Sequence, residues 1–416
     1  MIMRLDKIAT SPFVRNFFIL ISGTALAQIV SILSYPLLTR IFTPSEFGIY
    51  AVYTSLISIL GAVVSGRYEM AIMLPKGLRE ALQVFCVAVT LSAGLSLIFP
   101  VILFFVSRYT SFKSVETWYD VVLVAISLFL FSYLNTSSYL ANRFGKYKII
   151  SQSRVTQSVV TVAVQLISGL FLAKALNLAT GYAVGLLIAC ILATLALRLR
   201  KGILDLNIKA LNNILWKYRK FLYINAPSSL LDNISIFIPI FFIRTGYGNE
   251  TLGFYSIAMR IATIPATLIG QAIGQIFFKK ISEVIHDRKV VIRELNSSVK
   301  LLFVIGVPIA IGMAILSPLV FKIAFGAKWA PAGHLLQIMT ISFLVRFIVS
   351  PLSSVFIATQ QLGTLARWQL TYFVLLVTVS AIGVKYLSVE SLLLAYAGLD
   401  VIVYSYYYYL IRKIVR

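Results

Sequence analysis

Negative charge is what this sequence has least of. Fourteen Asp and Glu stand against 37 Lys and Arg, and charged residues make up only 12% of 416. Soluble domains carry about 25% charged and roughly 45–50% apolar residues. Here the hydrophobic share is 59% and the mean hydropathy +0.91, so an ordinary soluble protein is excluded. The two cysteines, Cys86 and Cys190, lie inside apolar runs and offer no disulfide framework. With only His286 and His334 beside them, neither a metal site nor a cofactor is expected. No G-x-x-x-x-G-K-S/T loop occurs, since Gly145-Lys146 lacks the upstream glycine and the hydroxyl residue. Transport driven by an ATPase within this chain is therefore not expected. The net charge of +23 is spread in short clusters between apolar runs. That pattern marks a membrane face rather than a nucleic-acid groove.

What is present is a series of long apolar runs. A bilayer core about 30 Å thick takes ~20 apolar residues per helix. Runs such as 121–130 (VVLVAISLFL) are apolar on every face, which excludes the two-residue alternation of a membrane β-barrel. Twelve spans are expected, at 17–39, 47–66, 81–106, 121–142, 155–173, 179–197, 221–243, 254–278, 301–321, 333–357, 368–386 and 391–410. The run between Arg15 and Arg40 exceeds the 7–15 residues of a signal-peptide core, and no A-x-A site follows it, so it is read as a span. With the N-terminus placed in the cytoplasm, 27 of the 37 Lys and Arg fall in loops on that side and 8 on the other. The positive-inside rule then puts both termini in the cytoplasm.

The chain reads as residues 1–197, a basic cytoplasmic linker at 198–220, and residues 221–416. Arg15-x-Phe17 matches Arg219-x-Phe221, Gln28 matches Asp232 and Arg40 matches Arg244, while Phe47-Gly48-Ile49-Tyr50 matches Leu252-Gly253-Phe254-Tyr255. Two six-helix halves in one orientation imply a pseudo-two-fold along the membrane normal, an arrangement that lets two bundles rock about a central site. Pro36 and Pro239, in the matching first helices, are the hinge candidates; a static kink is the competing reading. Thr43-Pro44-Ser45-Glu46 reads as a capped helix start. Gly181-xxx-Gly185 and Gly270-xxx-Gly274 read as close packing within each half rather than as dimer contacts.

Four ionisable residues fall inside the expected spans: Asp232, Arg260, Arg346 and Asp400, all in the second half. Each costs ~2.5–3.5 kcal/mol at a helix centre, so each should face protein or water. One reading pairs them structurally, Asp232 with Arg260 and Asp400 with Arg346. The other places them in a wet cavity, where arginine grips an anion bidentately and an aspartate exchanges a coupling ion. At the cytoplasmic edge, Arg67 of the Arg67-Tyr68-Glu69 triplet and Arg15 could attract an anionic headgroup or simply anchor the membrane edge. Gln28, the counterpart of Asp232, completes the candidate cavity set. Tyr404 and Tyr406 to Tyr409 read as an interfacial aromatic belt rather than a sugar-stacking surface. No catalytic residue is expected.

Three segments carry a family likeness: Gly23-Thr24-Ala25-Leu26-Ala27-Gln28, the stretch from Pro36 to Tyr50 (PLLTRIFTPSEFGIY), and that from Arg67 to Lys76 (RYEMAIMLPK). Gly253-Phe254-Tyr255-Ser256 and residues 270–278 (GQAIGQIFF) add to it. The sequence resembles the Wzx-type oligosaccharide flippases, polysaccharide-biosynthesis members of the multidrug/oligosaccharidyl-lipid/polysaccharide exporter superfamily. The resemblance implies an all-α integral membrane protein of about twelve helices, with two MATE-like six-helix lobes forming a V around a cationic cavity. It implies movement of an undecaprenyl-diphosphate-linked oligosaccharide, an O-antigen or other surface polysaccharide repeat unit, between the leaflets of a bacterial inner membrane. It further implies coupling to H⁺ or Na⁺, contact with membrane lipids, and a polysaccharide polymerase and chain-length regulator as partners. By helix position, Arg67, Arg260 and Arg346 would grip the diphosphate. The absence of charge inside helices 1 to 6 argues against a coupling carboxylate there. The competing functions are a cation-coupled multidrug exporter of the same superfamily and, from a different class, a membrane polysaccharide polymerase or ligase. The first would favour acids in helices 1 to 6, and the second a sizeable periplasmic loop; neither is present.

Overall fold

The computed structural model describes residues 12–109, 115–171, 175–198, 208–284, 287–359 and 361–415. These are helical almost throughout and contain no strand. Helices satisfy every backbone hydrogen bond within one segment, as a hydrocarbon solvent demands. Their outer faces are apolar, with Leu33 and Ile402 each 69% exposed, a shell suited to lipid. Ten helices among the described residues are long and apolar enough to cross a membrane. The protein is a multi-pass membrane protein.

In chain order the helices are α1 (Pro12–Ile41), α2 (Pro44–Gly61), a single turn α3 (Tyr68–Ala71), α4 (Leu78–Tyr109), α5 (Trp118–Arg143), α6 (Tyr147–Phe171), α7 (Ala175–Leu197) and α8 (Ile208–Lys217). Then come α9 (Ala226–Pro265), α10 (Gln271–Val284), α11 (Arg288–Val320), α12 (Ala330–Val349), the short α13 (Ser354–Ala358), α14 (Leu362–Tyr386) and α15 (Val389–Val415).

Ten differs from the expected twelve at two places. α2, at 18 residues, is not among the ten. The expected seventh and eighth spans, 221–243 and 254–278, are joined through α9, where helical dihedrals fail only at Gly248 (φ 86°, ψ 177°). Glycine accepts that positive φ without a Cβ clash, and Arg244 Nε bonds Asn249 Oδ1 across the break at 3.0 Å. The expected loop is thereby reduced to one residue. Pro36 and Pro239 both lie within continuous helix.

Loops expected to be irregular are partly helical. α11 starts at Arg288, capped by Asp287, whose Oδ1 accepts from the amides of Lys289 and Val290 at 3.1 and 3.2 Å. Burial of Val291 and Leu295 in the core draws this basic stretch into helix. Likewise α6 begins at Tyr147, not 155, after a turn at Gly145 (φ 65°). Arg154 therefore stands inside a membrane-spanning helix, which corrects the expectation that the first six helices carry no charge.

The chain divides into two compact units, Met1–Phe42 with Ile49–Phe237, and Thr43–Gly48 with Ile238–Arg416. In the first, Tyr68, Ile72, Val84, Ala88 and Leu140 form a core against which the linker helix α8 docks through Ile214. Tyr68 Oη donates to the Leu215 carbonyl at 2.7 Å, and Glu80 accepts from Lys217 Nζ at 2.5 Å and Tyr218 Oη at 2.9 Å. The basic linker is thus part of this unit where it is described. α7 packs on α6 through Gly181 and Gly185: a Cβ on Gly185 would lie 2.0 Å from Thr161 Oγ1.

In the second unit, the start of α2 lies on α9 by a reciprocal contact. A Cβ on Gly48 would fall 1.9 Å from the Asn249 carbonyl oxygen, and one on Gly253 would fall 1.8 Å from that of Pro44. Each glycine meets the residue four before its counterpart, a local two-fold between the repeated Gly-x-Tyr sequences. Thr43 and Glu46 form the capping box that fixes this start, Thr43 N donating to Glu46 Oε2 at 2.7 Å and Glu46 N to Thr43 Oγ1 at 3.3 Å. Trp329 is fully buried between Phe47 and Phe254, edge-on to both.

Gly253→Ala is expected to lower the melting temperature of the solubilised protein, because the new methyl meets backbone and overpacking costs about 1–3 kcal/mol. Gly312→Ala, with open space around it, should leave melting unchanged or slightly raised. Parallel thermal melts of the two variants check this.

Candidate functional site

The second unit carries a charged cluster built by three helices. On α15, Asp400, Tyr404, Tyr407 and Ile411 recur at the three-to-four-residue spacing that places them on one face. Asp400 meets Arg346 of α12 in a two-pronged ion pair, Nε to Oδ2 and Nη2 to Oδ1, both at 2.9 Å. Tyr372 of α14 completes a triangle: its hydroxyl donates to Asp400 Oδ1 at 3.1 Å and also accepts from Arg346 Nη2. The guanidinium carbon lies 5.8 and 5.7 Å from the ring centroids of Tyr372 and Tyr404. Trp368 stacks on Tyr372 at 5.6 Å and donates Nε1 to the Val403 carbonyl at 3.1 Å, which locks α14 to α15.

The pair is asymmetric. Asp400's side chain is 2% exposed and Arg346's 39%. The carboxylate is sealed in, with both oxygens bonded, while the arginine is half-buried. Removing one member of a sealed pair costs about 3–5 kcal/mol, since the other charge is left bare. An arriving anion with two oxygens, however, could replace Asp400 on the same fork.

Tyrosines of the expected belt divide by helical phase. Tyr404 packs on Trp368 and Arg346, and the buried Tyr407 stacks on Phe356, whereas Tyr406 and Tyr409 face outward. The belt reading is corrected for Tyr404 and Tyr407. Arg260 is half-buried on α9 and makes no hydrogen bond to the Arg346–Asp400–Tyr372 triangle. Gln28 is half-buried on α1 of the first unit. Arg15 and Asp232 lie on α1 and α9, but their side chains are outside the described residues.

Arg67 heads the single turn α3 in left-handed backbone (φ 62°, ψ 15°) and reaches Glu69 Oε1 at 3.4 Å. Ser65 donates to the other oxygen of Glu69, and Tyr68 is fully buried. Arg143 braces the corner, Nη1 donating to the Ile72 carbonyl at 2.9 Å and Nη2 to that of Pro75. Burial pushes the Glu69 carboxyl above its ordinary range, against the opposing pull of Ser65 and Arg67. Two features escaped sequence reasoning. Arg154 donates Nη2 to Asn135 Oδ1 at 2.9 Å within the first unit, and the turn at Gly145 was its only sequence signal. The role of Tyr372 had none.

Residues 37–334 match the model of the family described as polysaccharide biosynthesis protein. The chain belongs to that family. Among curated proteins, the teichuronic acid biosynthesis protein TuaB of Bacillus subtilis (strain 168) is 26% identical over 141 residues, 34% of this chain and 29% of that protein. The succinoglycan biosynthesis transport protein ExoT of Rhizobium meliloti (strain 1021) is 27% identical over 127 residues, 30% and 25% of the two chains. The matched stretch thus spans under a third of each curated relative. In fold, this chain is similar to the lipid II flippase MurJ in an inward closed conformation, with a TM-score of 0.72, 17% identity and coverage of 95% of this chain and 89% of that one. It is also similar to an inward-facing multidrug resistance MATE family transporter of the MOP superfamily, with a TM-score of 0.65, 14% identity and coverage of 95% and 94%. The fold is that of the MATE and MurJ transporters.

Because Glu69 binds its proton more tightly folded than unfolded, this residue favours the folded state at low pH and loses that contribution as pH rises through its raised pKa. Glu69→Gln is expected to raise the melting temperature by a few degrees near neutral pH. The gap should close on acidification, as followed by thermal melts across pH.

Proposed function

We propose that this chain carries a lipid-linked polysaccharide precursor, an undecaprenyl-diphosphate-linked oligosaccharide, from the cytoplasmic to the periplasmic leaflet of a bacterial inner membrane. In this reading twelve spans form two six-helix lobes with both termini cytoplasmic, flanking the linker at 198–220. Membership of the polysaccharide biosynthesis family and a fold shared with a lipid II flippase support it. The observation that carries the site is Arg346, a half-buried guanidinium fork inside an apolar helix whose present occupant is a carboxylate.

The physical task sets the parts. A diphosphate and several sugars cannot enter hydrocarbon unaided, while a polyprenyl tail can stay in lipid. An incoming diphosphate displaces Asp400 from Arg346 and gains two charge-assisted hydrogen bonds. Asp400, now unpaired and buried, takes up H⁺ or Na⁺, since a bare carboxylate there is unstable. Tyr372 follows either partner, because its hydroxyl donates and accepts. The groups around Asp400 are Arg346, Tyr372 and Tyr404, with Tyr255 of α9 within electrostatic range. Release on the far side restores the ion pair and returns the coupling ion. Arg67, Arg260, Arg15 and Gln28 are proposed as further contacts along the headgroup path, Asp232 as a second ion-coupling group, and Pro36 and Pro239 as hinges.

In proteoliposomes with a labelled lipid-linked oligosaccharide, Arg346→Ala should reduce transport by more than tenfold, and Arg346→Lys by less, with both proteins inserted. Equal, unimpaired transport by both would contradict the role. Asp400→Asn should leave a transport rate that no longer varies with pH, and an unchanged pH profile would make Asp400 purely structural.

A further inference from the structure

Arg154 lies seven residues into α6, about 10 Å along the helix axis from its first residue, on one of the ten apolar helices. Its hydrogen bond runs to a neutral acceptor, Asn135 Oδ1 of α5, at 2.9 Å. Among the described residues no carboxylate pairs with it; the four ion pairs lie elsewhere. One amide oxygen occupies one of the five N–H donors of a guanidinium. Tyr182 of α7 is its electrostatic neighbour. That ring stands edge-on to Tyr50 and Tyr53 at 6.5 and 6.2 Å, and Tyr53's hydroxyl is held by Ser127. Close by in sequence, the buried hydroxyls of Ser137 and Ser153 have no hydrogen-bond partner among the described residues. Arg154, Asn135 and Tyr182 are each half-buried.

This differs in kind from the Arg346 site. There an aspartate cancels the charge when no ligand is present. Here an asparagine orients the fork and leaves the full positive charge in place. The arrangement suits an anion that arrives and leaves, because no resident carboxylate must be displaced. Tyr182 itself packs edge-on against Tyr50 and Tyr53.

We propose that Arg154, Asn135 and Tyr182 form a second anion subsite, within the first unit, that takes a phosphate group of the carried lipid. This rests on the reading of the chain as a carrier of lipid-linked glycan. The remaining N–H groups of Arg154 bond two phosphate oxygens, and Asn135, while its Oδ1 still accepts from Arg154, donates its Nδ2 to a third.

The test uses the full chain in lipid nanodiscs and two probes, farnesyl diphosphate and uncharged farnesol, with binding read by calorimetry. Arg154→Gln is expected to weaken farnesyl diphosphate binding at least tenfold and to leave farnesol unchanged. Asn135→Asp is the decisive variant. It keeps every volume and pairs Arg154 with a resident carboxylate, so melting should hold or rise while diphosphate binding falls at least tenfold. If Asn135→Asp melts like the wild type and binds the diphosphate within twofold of it, the subsite is overturned, and the carrier reading stands on Arg346. If the wild type binds the diphosphate no better than farnesol, the carrier reading fails and the subsite with it.

Discussion

A carboxylate sealed among apolar helices can keep its charge only on a partner, and Asp400 has one in Arg346. That requirement organises the second unit. It sets the rotation of α15, because Asp400 must face α12, and Tyr404 and Tyr407 then turn inward with it. It sets α14, where Tyr372 supplies the third hydrogen bond and Trp368 the stacking that holds it there. Among the described residues nothing comparable neutralises Arg154 in the first unit, where the match is an amide. One unit thus carries a charge balanced by a carboxylate, the other a charge met by an amide.

Much of this was legible in the sequence, because lipid imposes a simple rule on composition. Long apolar runs between basic clusters give helices and little else, and Thr43 and Glu46 mark a helix start whose hydrogen bonds are those of a capping box. Asp400 and Arg346, charges within apolar spans, were open to two readings, a structural ion pair or cavity groups, and the structure shows them paired. Helix ends were not legible, since basic residues tolerate both helix and loop at a membrane edge. That is why Arg154 was read as loop, and why the single-residue break at Gly248 was read as a ten-residue one. Nor does a run of tyrosines reveal its phase until an anchored neighbour such as Asp400 fixes it.

The glycines have a separate logic. Gly185 permits α7 to touch α6, and Gly48 and Gly253 permit α2 and α9 to meet backbone to backbone. The second contact is symmetric between sequences related by the repeat, so the match of Gly-x-Tyr segments reflects a shared steric demand. The basic linker contributes a helix that packs on Tyr68 and Glu80. Its charges sit at the edge of the first unit while Ile214 is buried beneath them, as amphipathic periodicity requires.

Whether Arg346 trades Asp400 for an anion is the claim on which the proposed carrier cycle turns. Infrared difference spectroscopy on the reconstituted protein, before and after addition of a polyprenyl diphosphate, measures it directly. The trade predicts that binding shifts a carboxylate band of the ion pair and that this change is absent in Asp400→Asn. Saturable binding with the Asp400 carboxylate band unmoved would contradict it.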